Sequence, residues 1–297
     1  MQNIISNKIE KISILISCLI LNFSTVNAQE KISLDEDWKF HFGHASNPDK
    51  DFDYSKTAIL HKSNVYATTI VNPKFIDTTW TNVNVPHDWV VALPFQNTPS
   101  FDIESHGYKP VGGLYPETSI GWYRKHFTVD KSKSNKRFEI QFDGIYRNAE
   151  IWLNGFYVGT NFSGYVGNSY DVTDYINFEG DNVIVVRVDA TQYEGWFYEG
   201  AGIYRHVWLN ITDKIFIPQD GVFVHSDVKG KSTEVTVETT VQNNNLKNSN
   251  CSVYSYITDR KGKVLAKTSE QKVTLGIRKD FTVKQKLNLY DVQFWSL

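Results

Sequence analysis

Phe138, Ile140 and Phe142 alternate with Glu139 and Gln141, and this two-residue period recurs along most of the chain. Successive side chains of a strand point to opposite faces, so alternation marks a half-buried strand, whereas an amphipathic helix repeats every three to four residues. Ile32 to Phe42 reads as one such strand, with Trp38, Phe40 and Phe42 opposite Lys39 and His41. Trp80 to Pro86, Gly121 to Val129, Arg137 to Asp143 and Asn148 to Asn154 follow suit. Asn154-Gly155 is a two-residue hairpin signal, with Tyr157 to Thr160 as the return strand. Tyr170 to Ile176 reads as a turn-like link. Val183 to Asp189, apolar and β-branched, reads as a central strand. Short strands separated by turns, with almost no helical period, predict an all-β chain built from sandwiches.

At 297 residues two domains are expected. A boundary falls near residues 213–221. Beyond it Gly221 to Asp227, Ser232 to Gln242, Ser252 to Thr258, Val264 to Lys267 and Lys279 to Leu289 alternate again, with Asp259-Arg-Lys-Gly262 as a hairpin corner. This half is poorer in aromatics and suits a small immunoglobulin-like sandwich.

The first residues are a targeting segment. Lys8 and Lys11 precede an apolar run from Ile12 to Phe23, and Val26-Asn27-Ala28 supplies small residues before Gln29. That order is a secretory signal peptide spanning residues 1–28, cleaved after Ala28, and it predicts a secreted or periplasmic protein. Leu15-Ile-Ser-Cys18 loosely matches a lipoprotein box, but the apolar run continues past Cys18, which argues against a lipid anchor. Only Cys251 then remains, so no internal disulfide is available. A formal charge of −2 and the lack of a basic cluster exclude a nucleic-acid surface. The eight His show no ligand spacing, so no metal site is expected. Asn161-Phe-Ser and Asn210-Ile-Thr match the glycosylation sequon.

One stretch carries most of the chemistry. Glu194-Gly-Trp-Phe-Tyr-Glu-Gly-Ala-Gly202 mixes aromatics, carboxylates and glycines, then runs into an alternating strand from Ile203 to Leu209. Flat aromatic faces stack on sugar rings and carboxylates accept hydroxyl hydrogen bonds, so Glu194, Trp196, Tyr198 and Glu199 suit a saccharide. A buried aromatic plug under a glycine-rich corner fits the same residues. The irregular region from Leu93 to Ser119 is long enough to be a functional loop, with Asp102, Glu104 and His106 as further candidates. His87, Asp88 and Trp89 fit an anchor for the following loop. Arg124 and Arg205, inside aromatic runs, fit stacking or pairing within the sandwich.

Taken together, Val85-Pro-His-Asp-Trp89, Gly121-Trp-Tyr-Arg-Lys125, Asp143-Gly-Ile-Tyr146, Ala149-Glu-Ile-Trp-Leu-Asn-Gly155, Gly202-Ile-Tyr-Arg205, Val207-Trp-Leu209 and Trp295-Ser-Leu297 resemble the amino-terminal part of family 2 glycoside hydrolases, the β-galactosidase group. The resemblance covers nearly all of the chain after the signal. It implies a jelly-roll, galactose-binding-like sandwich over residues 29–214 and an immunoglobulin-like sandwich over residues 215–297, followed in full-length relatives by a (β/α)8 barrel carrying two catalytic glutamates. Such a barrel takes roughly 250 residues of alternating strand and helix. No Glu here matches those motifs, so no catalytic residue is expected in this chain and it is expected to be inactive alone.

The His-Asp-Trp wording points to β-galactosides as substrates of the full-length enzyme, hydrolysed with retention. The resemblance also implies that the loop before Gly202 lines the sugar subsite, facing the barrel. Some relatives place there an Asp that contacts galactose and sodium. Trp196 stands near that position and Glu194 is the nearest upstream carboxylate, so no metal is assigned to this chain, although full-length relatives use Mg or Na. Relatives also assemble as homo-oligomers through these β domains. Trp295-Ser-Leu297 matches the segment before a last strand, so the second sandwich is expected to be truncated there, with an unpaired edge. Two alternatives stand beside this: a stand-alone carbohydrate-binding protein and an adhesion module that recognises protein.

Overall fold

The structure is a computed structural model and describes residues 29–54, 69–96, 109–192, 199–290 and 292. Two sheets form the first sandwich. One has β2 (Trp38–Phe42), β3 (Thr81–Val83), β4 (Ile120–Phe127), β6 (Ala149–Leu153), β7 (Phe156–Asn161) and β9 (Asn182–Asp189), in the order β3-β2-β4-β9-β6-β7. The other has β1 (Gln29–Ser33), β5 (Arg137–Phe142), β8 (Asn168–Asp171) and β10 (Val207–Thr212), in the order β1-β10-β5-β8. Phe138, Ile140 and Phe142 of β5 meet Ile184, Val186 and Val188 of β9 in one core, as their alternation requires. The jelly-roll sandwich is therefore all-β, and β9 lies inside its sheet.

The six-stranded sheet is buried on both faces. Its outer face carries Ile120, Trp122, Trp152, Val183 and Val185, covered by Phe52, Tyr54, Ile70, Phe75 and Trp80 from the excursion between β2 and β3. Two buried ion pairs fasten that cover. Arg187 of β9 donates to Asp51 at 3.0 Å, and the Trp122 indole donates to the same carboxylate at 2.7 Å. Arg124 of β4, fully buried, donates to Asp77 at 2.7 Å and to the carbonyls of Ile70 and Asn72.

Some expectations are corrected. Ile32 to Phe42 is two strands, because the backbone turns between them with Asp37 at φ 55° and sends β1 and β2 into different sheets. Residues 168–171 are a strand rather than a link: β8 closes the edge of β5, and its polar outer positions hide the alternation. The hairpin at Asn154-Gly155 stands, with φ of 53° and 86° supplied by the two residue types that tolerate positive φ best. Both sequon asparagines, Asn161 and Asn210, are only 3% exposed and unsuited to carry a glycan.

The second sandwich uses β11 (Ile215–Phe216), β12 (Val222–Lys229), β13 (Ser232–Asn243), β14 (Ser249–Val253), β15 (Tyr256–Thr258), β16 (Val264–Lys267), β17 (Gln271–Leu275) and β18 (Asp280–Tyr290). β13 is central, flanked by β12 and β11 on one side and β18 on the other. Facing it are the pairs β14 with β17 and β15 with β16. Every ladder among the described residues is antiparallel, so the parallel sheet of a (β/α)8 barrel is not formed by them. Arg137 lies over the ring of Phe216 at 4.3 Å, joining the two halves at the linker.

Candidate functional site

One corner of the first sandwich is built by two segments far apart in sequence. The turn at residues 87–89 and the segment 200–203 are laced by backbone hydrogen bonds: the His87 amide donates to Ile203 at 2.7 Å, and the Trp89 amide to Ala201 at 3.1 Å. Asp88 completes the clamp. Its Oδ1 accepts from Val90 N, capping the short 3-10 turn Trp89–Ala92, and from Ala201 N, both at 3.0 Å. Gly202 forms a two-way bridge with Tyr146, at 2.7 and 2.9 Å. The Trp89 indole donates to the Thr118 carbonyl at 2.8 Å, tying in the end of the long loop.

Glycine is required at two of these positions. A Cβ on Gly202, at φ 124°, would lie 2.4 Å from the Tyr123 hydroxyl and 2.5 Å from the His87 carbonyl; one on Gly200 would lie 2.4 Å from the Asp88 carboxylate. The glycines therefore let the chain press against the turn rather than merely bend.

Polar chemistry inside the clamp is settled by burial. Burial lowers the His87 pKa below the ordinary histidine value, with the nearby Asp88 opposing, so the ring is neutral near pH 7. Burial also holds the Tyr123 hydroxyl well above its usual value, so it stays protonated. The Tyr123 hydroxyl and His87 Nδ1 are hydrogen-bonded across 2.8 Å, and this pair braces the corner.

The corner matters for what it holds. Residues 193–198 stand in sequence between Gln192 and Glu199, the latter half-buried. Residues 97–108 stand in sequence between Gln96 and Lys109, and the Lys109 Nζ is bonded to the carbonyls of Val91 and Leu93. Gly112 and Gly113 lie beside the Thr191 carbonyl, so the roots of both loops share one end of the sandwich. Val91, Phe95 and Leu114, at 66%, 70% and 75% exposure, present apolar surface on those roots.

The proposed site residues divide accordingly. His87, Asp88 and Trp89 are in the clamp. Arg124 is on the opposite face of its sheet, paired to Asp77 and 5.2 Å from the Phe75 ring. Arg205 is a correction: it is exposed, on a bend, with its Cδ packed near Gly144, because β10 begins only at Val207 and not at Ile203. Glu194, Trp196, Tyr198, Asp102, Glu104 and His106 lie outside the described residues. Among the described residues no group of three or more His, Cys, Asp or Glu is placed to hold a metal ion. Tyr123 and Tyr146 stand within the motifs at residues 121–125 and 143–146 but are not candidate site residues in the sequence; Gly202 is the local sign of the close approach that recruits them.

Two antiparallel sandwiches in series, the first with a clamped corner at residues 87–89 and 200–203, make an all-β chain among the described residues. Its family follows from comparison. The profile of "Glycosyl hydrolases family 2, sugar binding domain" matches residues 32–213, and the chain belongs to this family as an amino-terminal portion.

A β-galactosidase of Bacteroides ovatus is 34% identical over 278 residues, covering 92% of this chain and 29% of that protein. A β-glucuronidase of Formosa agariphila is 28% identical over 252 residues, covering 75% and 25%. The crystal structure of a family 2 member from Bacteroides cellulosilyticus matches with a TM-score of 0.70 and 30% identity, over 90% of this chain and 32% of that one. The chain thus spans under a third of the length of these relatives.

Proposed function

We propose that this chain is the non-catalytic, sugar-side part of an exported glycoside hydrolase acting on β-galactosides. The observation that carries the reading is the corner at His87–Trp89 and Gly200–Ile203, which fixes the roots of both loops bearing the candidate sugar contacts. A rigid frame lets loop aromatics and carboxylates meet a sugar without a large ordering cost. Trp196 and Tyr198 would stack on the ring, and Glu194, Glu199, Asp102, Glu104 and His106 would bond hydroxyls. Bond cleavage with retention needs two carboxyl groups about 5–5.5 Å apart. That pair is assigned to a barrel outside this chain, as is any Mg or Na. Galactosides are favoured over glucuronides by the His87-Asp-Trp89 wording and by the 34% identity to a protein named a β-galactosidase. Export follows from the segment ending at Ala28.

Calorimetry tests the half-site. The chain from Gln29 to Leu297 should bind lactose or methyl-β-galactoside in the millimolar range or more weakly, since one wall of the pocket is supplied elsewhere. Micromolar binding that is lost in Trp196→Ala would overturn this reading in favour of a self-sufficient carbohydrate-binding protein.

A further inference from the structure

The outer face of the sheet β1-β10-β5-β8 carries a hydrogen-bond relay that ends on an unpartnered atom. Leu209 and Ile211 of β10 point into the core, so Trp208, Asn210 and Thr212 point outward. In register with Trp208 and Asn210 stand Gln141 and Glu139 of β5 on one side, and Ser33 and Lys31 of β1 on the other. The relay starts at Asp143, whose carboxylate accepts from the Trp208 indole and from the Gln141 amide, both at 2.8 Å. A carboxylate only accepts, so Gln141 turns its nitrogen to Asp143 and its oxygen to Asn210, which donates to it through Nδ2 at 3.0 Å. Glu139 lies on the same side, 3.5 Å from that nitrogen. Reversing the Asn210 amide would set its oxygen against two others, so its orientation is fixed by its neighbours.

The amide oxygen is what the relay leaves over. Asn210 is 3% exposed, and its Oδ1 is buried without a hydrogen-bond partner. The Thr212 hydroxyl, next on the same face at 6% exposure, is buried and unpartnered as well. Native folds rarely leave two such groups side by side, and each is a standing cost to the free protein. The side chain beside them is a mobile one. Lys31 stands directly opposite Asn210, is exposed, and sets its ammonium 4.3 Å from the centre of the Trp208 ring, so its stem spans the interval between those residues. An aromatic face holds an exposed lysine only weakly. The β8 side of the same face is closed by the linker, where Phe216 lies against Arg137 and Gln219 accepts from the Ser169 hydroxyl.

We propose that Trp208, Asn210 and Thr212 form a second saccharide site, latched by Lys31, on the outer face of the first sandwich. A pyranose ring takes the place of the Lys31 ammonium on the indole, and its hydroxyls donate to Asn210 Oδ1 and bond the Thr212 hydroxyl. The chemistry selects a polyhydroxylated ring. A phosphate or carboxylate has no hydrogen to give Asn210 Oδ1, and an apolar ligand would leave both buried groups unmet. The relay from Asp143 matters because it holds the acceptor in place before the sugar arrives, so little ordering is left to the binding step. No residue of the clamped corner takes part, and the site stands whether or not that corner meets sugar.

Lactose is the probe. The chain from Gln29 to Leu297 is prepared with 5-fluorotryptophan, and the fluorine resonance of residue 208 is identified by its absence in Trp208→Phe. The expected result is a saturable shift of that resonance with a midpoint in the millimolar range. Lys31→Ala removes the latch and should lower the midpoint about two- to five-fold. Asn210→Ala should raise it by a factor on the order of ten. Thr212→Val, which keeps the shape of the side chain, should raise it at least about two-fold without lowering Tm, since it removes an unpartnered buried hydroxyl; it serves where Asn210→Ala does not fold. A resonance that lactose does not move, or a midpoint indifferent to both Lys31→Ala and Thr212→Val, would overturn the proposal and leave an ordered water as the partner of Asn210. Trp196→Ala should leave the titration unchanged, whatever it does to binding at the corner. Loss of the shift in that variant would place the sugar at the corner instead and overturn the proposal as well.

Discussion

Asp77→Ala should destabilise the first sandwich by about 3–5 kcal/mol, the cost of removing one partner from a buried ion pair. Arg124 is fully buried, and without Asp77 its guanidinium keeps only the carbonyls of Ile70 and Asn72 as acceptors in the observed arrangement. Asp77 is also the acceptor for His126 at 2.9 Å, so the excursion covering Trp122 and Trp152 loses its tie to β4 at two points. Thermal unfolding followed by circular dichroism should show a fall in Tm of roughly 6–20 °C. Asp77→Asn, which keeps the shape and one acceptor oxygen, should lose less.

The same pair fixes a pH signature. Burial alone would raise the Asp77 pKa, but hydrogen bonds and charge from Arg124 and His126 outweigh it and hold the carboxyl below its ordinary range. A carboxylate with a depressed folded pKa binds its proton more readily in the unfolded chain. Its stabilisation is therefore complete above the unfolded value, near about 4, and is lost as the pH falls through the folded value. The melting temperatures of wild type and Asp77→Ala should converge as the pH is lowered below about 4. A constant gap down to pH 2 would show that the ionised carboxylate is not what Arg124 needs.

Gly202→Ala should cost roughly 2–5 kcal/mol, combining a backbone angle that alanine resists with overpacking. The added methyl would meet the Tyr123 hydroxyl at 2.4 Å and the His87 carbonyl at 2.5 Å. Neither neighbour yields freely: Tyr123 is fully buried against Trp38 and Phe40, and His87 is held to Ile203 through its backbone. The loss should therefore appear as separation of the segment 200–203 from the turn at residues 87–89. Hydrogen exchange checks this, since the Ala201 and Gly202 amides should lose protection while those of β9 keep theirs. Unchanged exchange at both amides would mean that the clamp is not built on the glycine.

The strands were legible where one face is apolar and the other is wet. Phe138, Ile140 and Phe142 announce β5, and Asn154-Gly155 announces its neighbouring hairpin, because both signals are local. Buried charge was not legible. Asp51 and Asp77 sit in polar, turn-like sequence, and Asp51 finds Arg187 only through contacts 136 residues away. Alternation failed again at Ile203–Arg205, where the pattern continues but the backbone does not, because the Gly202–Tyr146 bridge holds that segment off the ladder that starts at Val207. Asp88 shows the middle case. A loop anchor is readable from Asp before a short turn, whereas its second bond, to Ala201, joins positions 113 residues apart and belongs to the tertiary fold.

The central claim is that this chain shapes one side of a sugar site while the bond-breaking carboxylates reside elsewhere. Hydrolysis of nitrophenyl-β-galactoside by the purified chain from Gln29 to Leu297 tests it most directly. The expected result is release of nitrophenol no faster than in buffer across pH 5 to 8, at protein concentrations where melting shows a folded sample. Turnover that scales with protein concentration and survives repeated purification would contradict the claim and place a complete catalytic centre within these two sandwiches.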